Sequence, residues 1–183
     1  MMHPWHDLSP GEDPPEIVDT LVEIPRGGHV KYELDKRSGL LRMDRVLFAA
    51  MHYPANYGFI PQTFAEDDDP LDVLVLCQNR VEPMTLIASR PIGMMVMTDE
   101  DKADHKIVAV AVGDPSQNSY RELDDLPQYE LEVVRTFFED YKTKEKDKVD
   151  VDGFRDRQAA LDVIEAAIQR YHENMNQLKK AAA

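Results

Sequence analysis

The sequence predicts an α+β fold in which a compact antiparallel β-barrel is partly covered by helices. Short apolar segments separated by Gly, Pro and Asp run from about residue 17 to residue 112, and apolar residues recur at helical spacing after Gly113. The 183 residues fit one domain, since no Gly/Ser/Pro-rich linker divides the middle of the chain. We therefore expect an N-terminal arm over residues 1–16 and a single domain over residues 17–183. The barrel would occupy about 17–112 and the helical part about 113–183.

Six segments carry the strand pattern. Each alternates apolar with polar residues or forms a short continuous apolar run bounded by turn residues. In chain order they are IVDTLVEI, HVKYELD, LLRMDRVLF, LDVLVLC, TLIASRPIGMMVM and KIVAVAV. In the second segment, period-two alternation places Lys31 and Glu33 on one face and Tyr32 on the other.

Two helices are predicted in the last third of the chain. The first lies in PQYELEVVRTFFEDYK, where Val134, Phe138 and Tyr141 share a face. The second is longer, and its apolar positions alternate in steps of three and four: Leu161, Ile164, Ile168, Tyr171, Met175 and Leu178. We interpret that stripe as core packing rather than a cofactor site, because it keeps the helical period so regularly. The proline-rich opening is expected to pack on the surface as an extended arm anchored through Trp5.

The composition of the chain argues against several classes of function. The formal charge of -14 argues against general affinity for nucleic acid, which depends on Lys and Arg neutralising phosphates. The single cysteine, Cys77, lies in an apolar run and is interpreted as a small buried residue, so no intramolecular disulfide is possible. The opening segment lacks the basic start and apolar core of a signal peptide, and no segment approaches a membrane span. We expect a cytoplasmic protein without nucleic-acid or membrane partners.

The most unusual segment is EDDDPLDVLVL, from Glu66 to Leu76, in which five acidic side chains within seven residues precede a buried strand. Like charges so close together raise one another's pKa unless water or cations surround them. A solvated loop and a magnesium site both remain open. An EF-hand calcium loop fails, because its sixth position would be Asp72 where glycine is needed. Pro70 stiffens the segment and drives Asp69 into an extended conformation.

A second acidic stretch, TDEDKADHK, lies between two predicted strands, and its last residue, Lys106, begins the next strand. Alone it is typical of a solvated hairpin loop, but two acidic loops at the same end of a barrel could share cations. Taken singly, Lys31, Arg45 and Lys142 are typical of solvated charges. Tyr53 and Tyr57 could be packed loop aromatics or could donate a hydrogen bond to a phosphate oxygen. The six histidines lack the HExxH spacing of a zinc helix, so we assign them no metal role. No G-x-S-x-G or GxxxxGK(S/T) motif supports a serine nucleophile or a Walker phosphate loop.

Eight short blocks, taken in order, resemble the soluble inorganic pyrophosphatases of family I. They are VEIP, KYELD, MDRVLF, YPANYGFIP, DDDPLDVLV, RPIG, TDEDKADHK and FFEDYK, over Leu21 to Lys142, about two-thirds of the chain. DDDPLDV matches the signature of that family, and the HPWHDL opening is similar to that of some members. The resemblance implies a five-stranded OB-like barrel flanked by helices, with hydrolysis of pyrophosphate to two orthophosphates that depends on several Mg²⁺ ions. It also implies a homo-oligomer, with a homohexamer favoured for a chain of this length.

The same resemblance implies roles for individual residues. Asp69 would take the proton from the attacking water. The activating metal would be held by Asp67, Asp72 and Asp104, with Asp99 joining Asp104 around further ions. The phosphate groups would be bound by Lys31, Arg45, Tyr57, Tyr141 and Lys142. Supporting positions would be Glu23, Glu33, Tyr53, Glu100 and Lys106.

The charges of these residues explain why metal ions would be needed to bind pyrophosphate. Six acids against four bases leave a net charge of -2: Glu33, Asp67, Asp69, Asp72, Asp99 and Asp104 against Lys31, Arg45, Lys106 and Lys142. Pyrophosphate adds about three or four negative charges and would be repelled without about +6 to +8 from divalent ions. Two other functions stay open. One is an OB-type module that binds an oligonucleotide or a protein, and the other is a passive divalent-cation binder.

Overall fold

The computed structural model describes residues 2–48, 50–99, 102–142 and 149–181. Within these ranges the chain forms nine strands and two α-helices. The strands are β1 (Val18–Ile24), β2 (Val30–Leu34), β3 (Leu41–Val46), β4 (Asn56–Phe59), β5 (Asp72–Leu76), β6 (Leu86–Asp99), β7 (Lys102–Ala103), β8 (Lys106–Ala111) and β9 (Val149–Arg155), and the helices are α1 (Gln128–Asp140) and α2 (Arg157–Ala181). Neither helix in the described part of the chain has the length and apolar composition needed to cross a membrane.

Five strands close into a ring in the order β1, β4, β5, β8, β6 and back to β1. The ring closes because β6 is long and bent. Its first residues, Leu86–Ser89, pair with β1, whereas Met94–Asp99 pair with β9. The bend lies at a bulge between Pro91 and Gly93, where the missing proline N–H is tolerated. The predicted α+β class and five-stranded OB-like barrel are confirmed, with the β2–β3 hairpin as a separate two-stranded sheet.

One pairing departs from the predicted antiparallel arrangement. β5 and β8 run parallel, with Val73 opposite Ile107. A parallel pair needs a long crossover, which β6 and β7 supply here in place of a helix. Both strands therefore begin at the same end of the barrel, and their first residues, Asp72 and Lys106, are neighbours.

The continuous apolar runs of β5 and β8 are buried on both faces. On one side, Leu74 and Val108 belong to a cluster that includes Phe138 of α1. On the other side, Val73 and Ile107 belong to a cluster that includes residues of α2. A strand covered on both faces has no reason to alternate, which explains its unbroken apolar sequence.

The described part of the N-terminal arm, residues 2–16, packs against the barrel and α2. Trp5 is 2% exposed, and its Nε1 donates to the carbonyl oxygen of Thr63 over 2.8 Å. Nδ1 of the buried His6 lies 2.9 Å from the hydroxyl of Tyr171 in α2. The arm is not extended as expected, because the Asp7 N–H bonds the carbonyl of His3 and folds these residues into a turn. The division into arm and domain stays a prediction.

All six predicted strands and both predicted helices are present, but sequence reasoning missed three strands. β4 lies in a stretch that contains Asn56 and Gly58, two residues that are rare in strands. β9 lies in the part of the chain predicted to be helical, and it extends the barrel sheet by pairing with β6. β7 has only two residues. Each depends on a partner strand elsewhere rather than on its own pattern.

Gly58 allows β1 and β4 to approach closely, so Gly58→Ala should destabilise the barrel. A Cβ at position 58 would lie 1.9 Å from the carbonyl oxygen of Leu21. We expect the free energy of unfolding to fall by about 3 kcal/mol or more, as measured by urea denaturation. Gly113→Ala is the matched control, because a Cβ there meets nothing within 4 Å. Equal unfolding midpoints for the two variants would contradict the prediction.

Candidate active site

An acidic cleft of about 420 Å³ opens at the end of the barrel where β5 and β8 begin. Its walls come from β1, the β2–β3 hairpin, the acidic segment 66–72, the end of β6 and α1. The cleft gathers most of the residues predicted from the sequence: Glu23, Lys31, Glu33, Tyr53, Tyr57, Asp67, Asp69, Asp72, Asp99, Asp104, Lys106, Tyr141 and Lys142. Glu100 lies outside the described residues, and Arg45 is not among the residues that line the cleft.

Lys106 occupies the centre of the acidic cleft. Its buried ammonium contacts the carboxylates of both Asp72 and Asp104, and Asp72 also accepts a 2.5 Å hydrogen bond from the Tyr57 hydroxyl. Burial alone would lower the pKa of Lys106, but the two carboxylates outweigh it and hold that pKa well above its ordinary value. Lys106 therefore stays charged and keeps both acids in place.

Asp67 lies in the same cleft as Asp72, Asp104 and Lys106. Burial, together with the nearby negative charges of Asp72 and Asp104, raises its pKa to about 7. Asp67, Asp72 and Asp104 all line the cleft, although Asp67 precedes Asp104 by 37 residues. The turn around Asp68, closed by a hydrogen bond from Ala65 N to the Asp69 carbonyl, precedes Pro70, and Asp67 and Asp72 on either side of it both line the cleft.

Asp99 and Lys142 form a second charged pair on the cleft wall. Lys142 Nζ lies 2.5 Å from Asp99 Oδ2, so the end of α1 is joined to the end of β6. The other oxygen, Oδ1, is buried and has no hydrogen-bond partner among the described residues. A buried carboxylate oxygen without a donor is an open ligand position for a cation.

The tyrosines of the cleft are positioned by aromatic packing. Tyr53 and Tyr57 have ring centres 5.3 Å apart, and Phe137 and Phe138 of α1 pack against them. Burial raises the pKa of Tyr53, Tyr57 and Tyr141, so their hydroxyls stay protonated and can act as hydrogen-bond donors.

The β2–β3 hairpin supplies cations through its register. Lys31 lies opposite Arg45, and both contact Asp44, at 3.5 Å and 2.5 Å respectively. Lys31 Nζ is also 2.5 Å from Glu33 Oε1, as expected for residues on one face of a strand. Arg45 does not line the cleft, but its positive charge opposes the rise in the pKa of Tyr53 and Tyr141.

Glu23 has a structural role in addition to its place in the cleft. Its carboxylate is buried in β1 and accepts a 2.8 Å hydrogen bond from the backbone N–H of Leu34 in β2. Burial, together with the charge of Asp72, raises its pKa well above the ordinary value. Glu23 thus ties the hairpin to the barrel and fixes the position of Lys31.

The donor chemistry of the cleft fits a hard divalent cation. Carboxylate oxygens are the ligands that Mg²⁺ prefers, and mutually repelling buried acids gain from added positive charge. In the described part of the chain, no group of three or more His, Cys, Asp or Glu side chains is arranged to hold an ion. The ammonium of Lys106 lies between Asp72 and Asp104.

Sequence reasoning missed two lysines of the cleft. Lys36 lies in the turn of the hairpin, and its Nζ is 2.5 Å from Asp69 Oδ1. Lys102 in β7 is 3.1 Å from Asp68 Oδ2. Both lie in polar turn sequences that are typical of solvated charges, and no spacing rule indicates that they meet the acidic segment.

Replacement of Lys106 by methionine should make folding depend on divalent ions. The change leaves Asp72 and Asp104, whose side chains are only 18% and 12% exposed, without their cation, so we expect the free energy of unfolding in EDTA to fall by about 3 kcal/mol. Mg²⁺ should raise the melting temperature of Lys106→Met more than that of the parent, because it replaces the lost charge.

Lys102→Met is the matched control, since its exposed pair with Asp68 contributes about 1 kcal/mol or less. Thermal unfolding with EDTA and with Mg²⁺ measures both effects. Equal Mg²⁺-induced shifts in the parent and in Lys106→Met would contradict the view that Lys106 occupies a cation position.

The chain is similar to known proteins over most of its length. Residues 20–172 match the family described as inorganic pyrophosphatase. Soluble inorganic pyrophosphatase 2 of Chlamydomonas reinhardtii is 46% identical over 172 residues, which cover 94% of this chain and 90% of that protein. Soluble inorganic pyrophosphatase 1 of Arabidopsis thaliana is 45% identical over 171 residues, covering 93% and 81% respectively. The crystal structure of inorganic pyrophosphatase from Thermus thermophilus has a TM-score of 0.88 and 40% identity, covering 92% of this chain and 99% of that chain.

Proposed function

The chain belongs to the family of soluble inorganic pyrophosphatases, which hydrolyse pyrophosphate to phosphate, and we propose that it does so with several Mg²⁺ ions in the acidic cleft. Enzymes of this family are typically metal-dependent. Asp67, Asp72 and Asp104 would hold the activating ion, and Asp99 would join Asp104 in holding further ions. Such ions supply positive charge that offsets the charge of the substrate and lower the pKa of a coordinated water.

The observation that carries this proposal is that Asp67, Asp72 and Asp104 line one cleft, where the Lys106 ammonium contacts both Asp72 and Asp104. Acids from two distant parts of the chain meet in the cleft around a buried lysine, and a passive surface loop would not keep them there. The arrangement favours an enzyme over a non-catalytic OB-type module, because the convergent groups are carboxylates and not aromatics among basic residues.

The remaining residues would bind and orient the substrate. Lys31 would exchange its contact with Glu33 for a phosphate oxygen, and Lys142 would do the same with its contact to Asp99. Arg45 would support Lys31 from the opposite strand. The neutral hydroxyls of Tyr57 and Tyr141 would donate hydrogen bonds. Positively charged and hydrogen-bonding groups placed in this way stabilise the charge that develops on a departing phosphate.

Asp69 would act as the general base. It lies in the cleft beside Asp67, and its side chain is about half exposed, so a water molecule can reach it. It would accept the proton of the attacking water, and the water oxygen would displace phosphate directly in an in-line attack. No covalent bond between the enzyme and phosphate is then needed.

A homohexamer in the cytoplasm completes the proposal. The homohexamer rests on the family resemblance of a chain of this length, and the compartment rests on the soluble pyrophosphatases that the chain resembles.

The proposed metal dependence is tested by phosphate release from pyrophosphate. We expect turnover with Mg²⁺, loss of turnover after EDTA, and recovery when Mg²⁺ is restored in excess. A gel-shift with single-stranded DNA is expected to show no complex, given the strong negative charge. Turnover that persists in EDTA would contradict the metal proposal, and a DNA complex without turnover would favour the OB-type module.

Asp69→Asn tests the base. The change keeps the size of the side chain but removes the proton acceptor, so kcat should fall by about 10²- to 10⁴-fold while the fold is retained. The control is Asp68→Asn, which removes the same charge from the adjacent and more exposed side chain and should alter kcat only a few-fold. Steady-state kinetics at saturating Mg²⁺ measures both, and an unchanged kcat in Asp69→Asn would exclude the base role.

A further inference from the structure

Lys36 reaches from the turn of the β2–β3 hairpin to the acidic segment. Its Nζ lies 2.5 Å from Asp69 Oδ1 and donates to the carbonyl oxygen of Asp68 over 3.0 Å. One ammonium thus contacts the side chain of one residue and the backbone of the residue before it. Two contacts from one group fix where the Asp69 carboxylate lies and also how it is turned.

The backbone that Lys36 contacts is in an unusual conformation. Asp68 has a φ of +72°, in the left-handed region that non-glycine residues rarely adopt. The turn around it is closed by hydrogen bonds from Ala65 N to the Asp69 carbonyl, at 2.7 Å, and from Asp69 N to Asp67 Oδ1, at 3.1 Å. Such a conformation persists when its surroundings hold it, and the bond from Lys36 to the Asp68 carbonyl contributes to this.

The N-terminal arm holds the hairpin turn from the outside. Nε2 of His3 donates to the carbonyl oxygen of Lys36 over 2.9 Å. Gly39, in the same turn, has a φ of +69°, and a Cβ there would lie 2.8 Å from Cδ of Pro4. The arm is itself anchored by the buried Trp5. The arm therefore holds the backbone of Lys36 in place, and the Lys36 side chain reaches from there to the acidic segment.

We propose that Lys36 is a positioning residue for the Asp69 carboxylate. By holding Oδ1, it leaves Oδ2, to which no described residue donates a hydrogen bond, to accept the proton of the attacking water. This inference rests on the proposed role of Asp69 as the base. Both side chains of the pair are about half exposed, so the pair contributes little to folding, and its loss should be visible in the reaction rather than in stability.

Lys36→Met is the first test. We expect kcat to fall about 10- to 100-fold, because the carboxylate is no longer aimed, whereas KM should change less than about threefold. Lys36→Arg keeps a cation in reach and should recover most of the lost kcat. The matched control is Arg37→Met, which removes the same charge from the same turn; within the described residues only the backbone N–H of Arg37 forms a hydrogen bond, to Asp35. An unchanged kcat in Lys36→Met, a rise in KM alone, or an equal loss in Arg37→Met would overturn the proposal.

A double-mutant cycle shows whether Lys36 acts through Asp69. In the Asp69→Asn background, Lys36→Met should produce almost no further loss of kcat, since there is no base left to position. A further loss as large as in the parent would overturn the proposal even if Asp69 is the base. If Asp69→Asn itself left kcat unchanged, the base role would fail first, so the two failures are distinguishable.

A readout without turnover uses the metal-free protein. The ¹³C resonance of the Asp69 carboxylate should shift in Lys36→Met and stay in place in Arg37→Met, because among the described residues Lys36 is the one whose side chain contacts that group. An Asp69 resonance that does not respond to Lys36→Met would show that the contact is not maintained in solution and would also overturn the proposal.

Discussion

The contact of the Lys106 ammonium with Asp72 and Asp104 is the interaction on which the rest of the site depends. It exists because β5 and β8 run parallel and begin side by side. Two carboxylates and one ammonium in a buried place leave a net negative charge, and removal of water from that place is costly. The fold accepts this cost at one end of the barrel, while apolar packing on both faces of β5 and β8 holds the strands together. The stability of the core thus maintains an arrangement of charges that would separate in water.

Much of this could be predicted from sequence, because the relevant signals are local. Six strands and two helices have clear periodicity, and the DDDPLD signature identifies Asp67, Asp69 and Asp72 as a group. The parallel direction of β5 and β8 could not be predicted, since the two strands look alike in either orientation. β9 was missed because its Gly and alternating Asp residues indicate a strand only beside β6. Lys36 was missed because a lysine in a polar turn looks solvated, and only the folded hairpin brings it to the acidic segment.

The cleft combines two kinds of polar group that respond differently to their surroundings. The central acids lie among buried groups and depend on compensating positive charge, as the raised pKa of Asp67 indicates. The hairpin groups, such as Glu33, lie in a more exposed setting, where water can replace a lost partner. A cation or an anion that enters the cleft therefore meets a fixed centre and an adaptable wall. The reaction requires that the central acids keep their positions, whereas the entry of substrate and the release of product require that the exposed hairpin groups can change partners.

The packing of Trp5 has a consequence for optical measurements. It is the single tryptophan of the chain, and it lies in contact with His6, Phe64 and Tyr171, where water is excluded. Its fluorescence therefore reports one event, the docking of the arm, with no background from indoles elsewhere. Emission at short wavelength indicates a docked arm, and a red shift indicates release into solvent. The chain thus carries an intrinsic optical label on the segment that borders the hairpin turn.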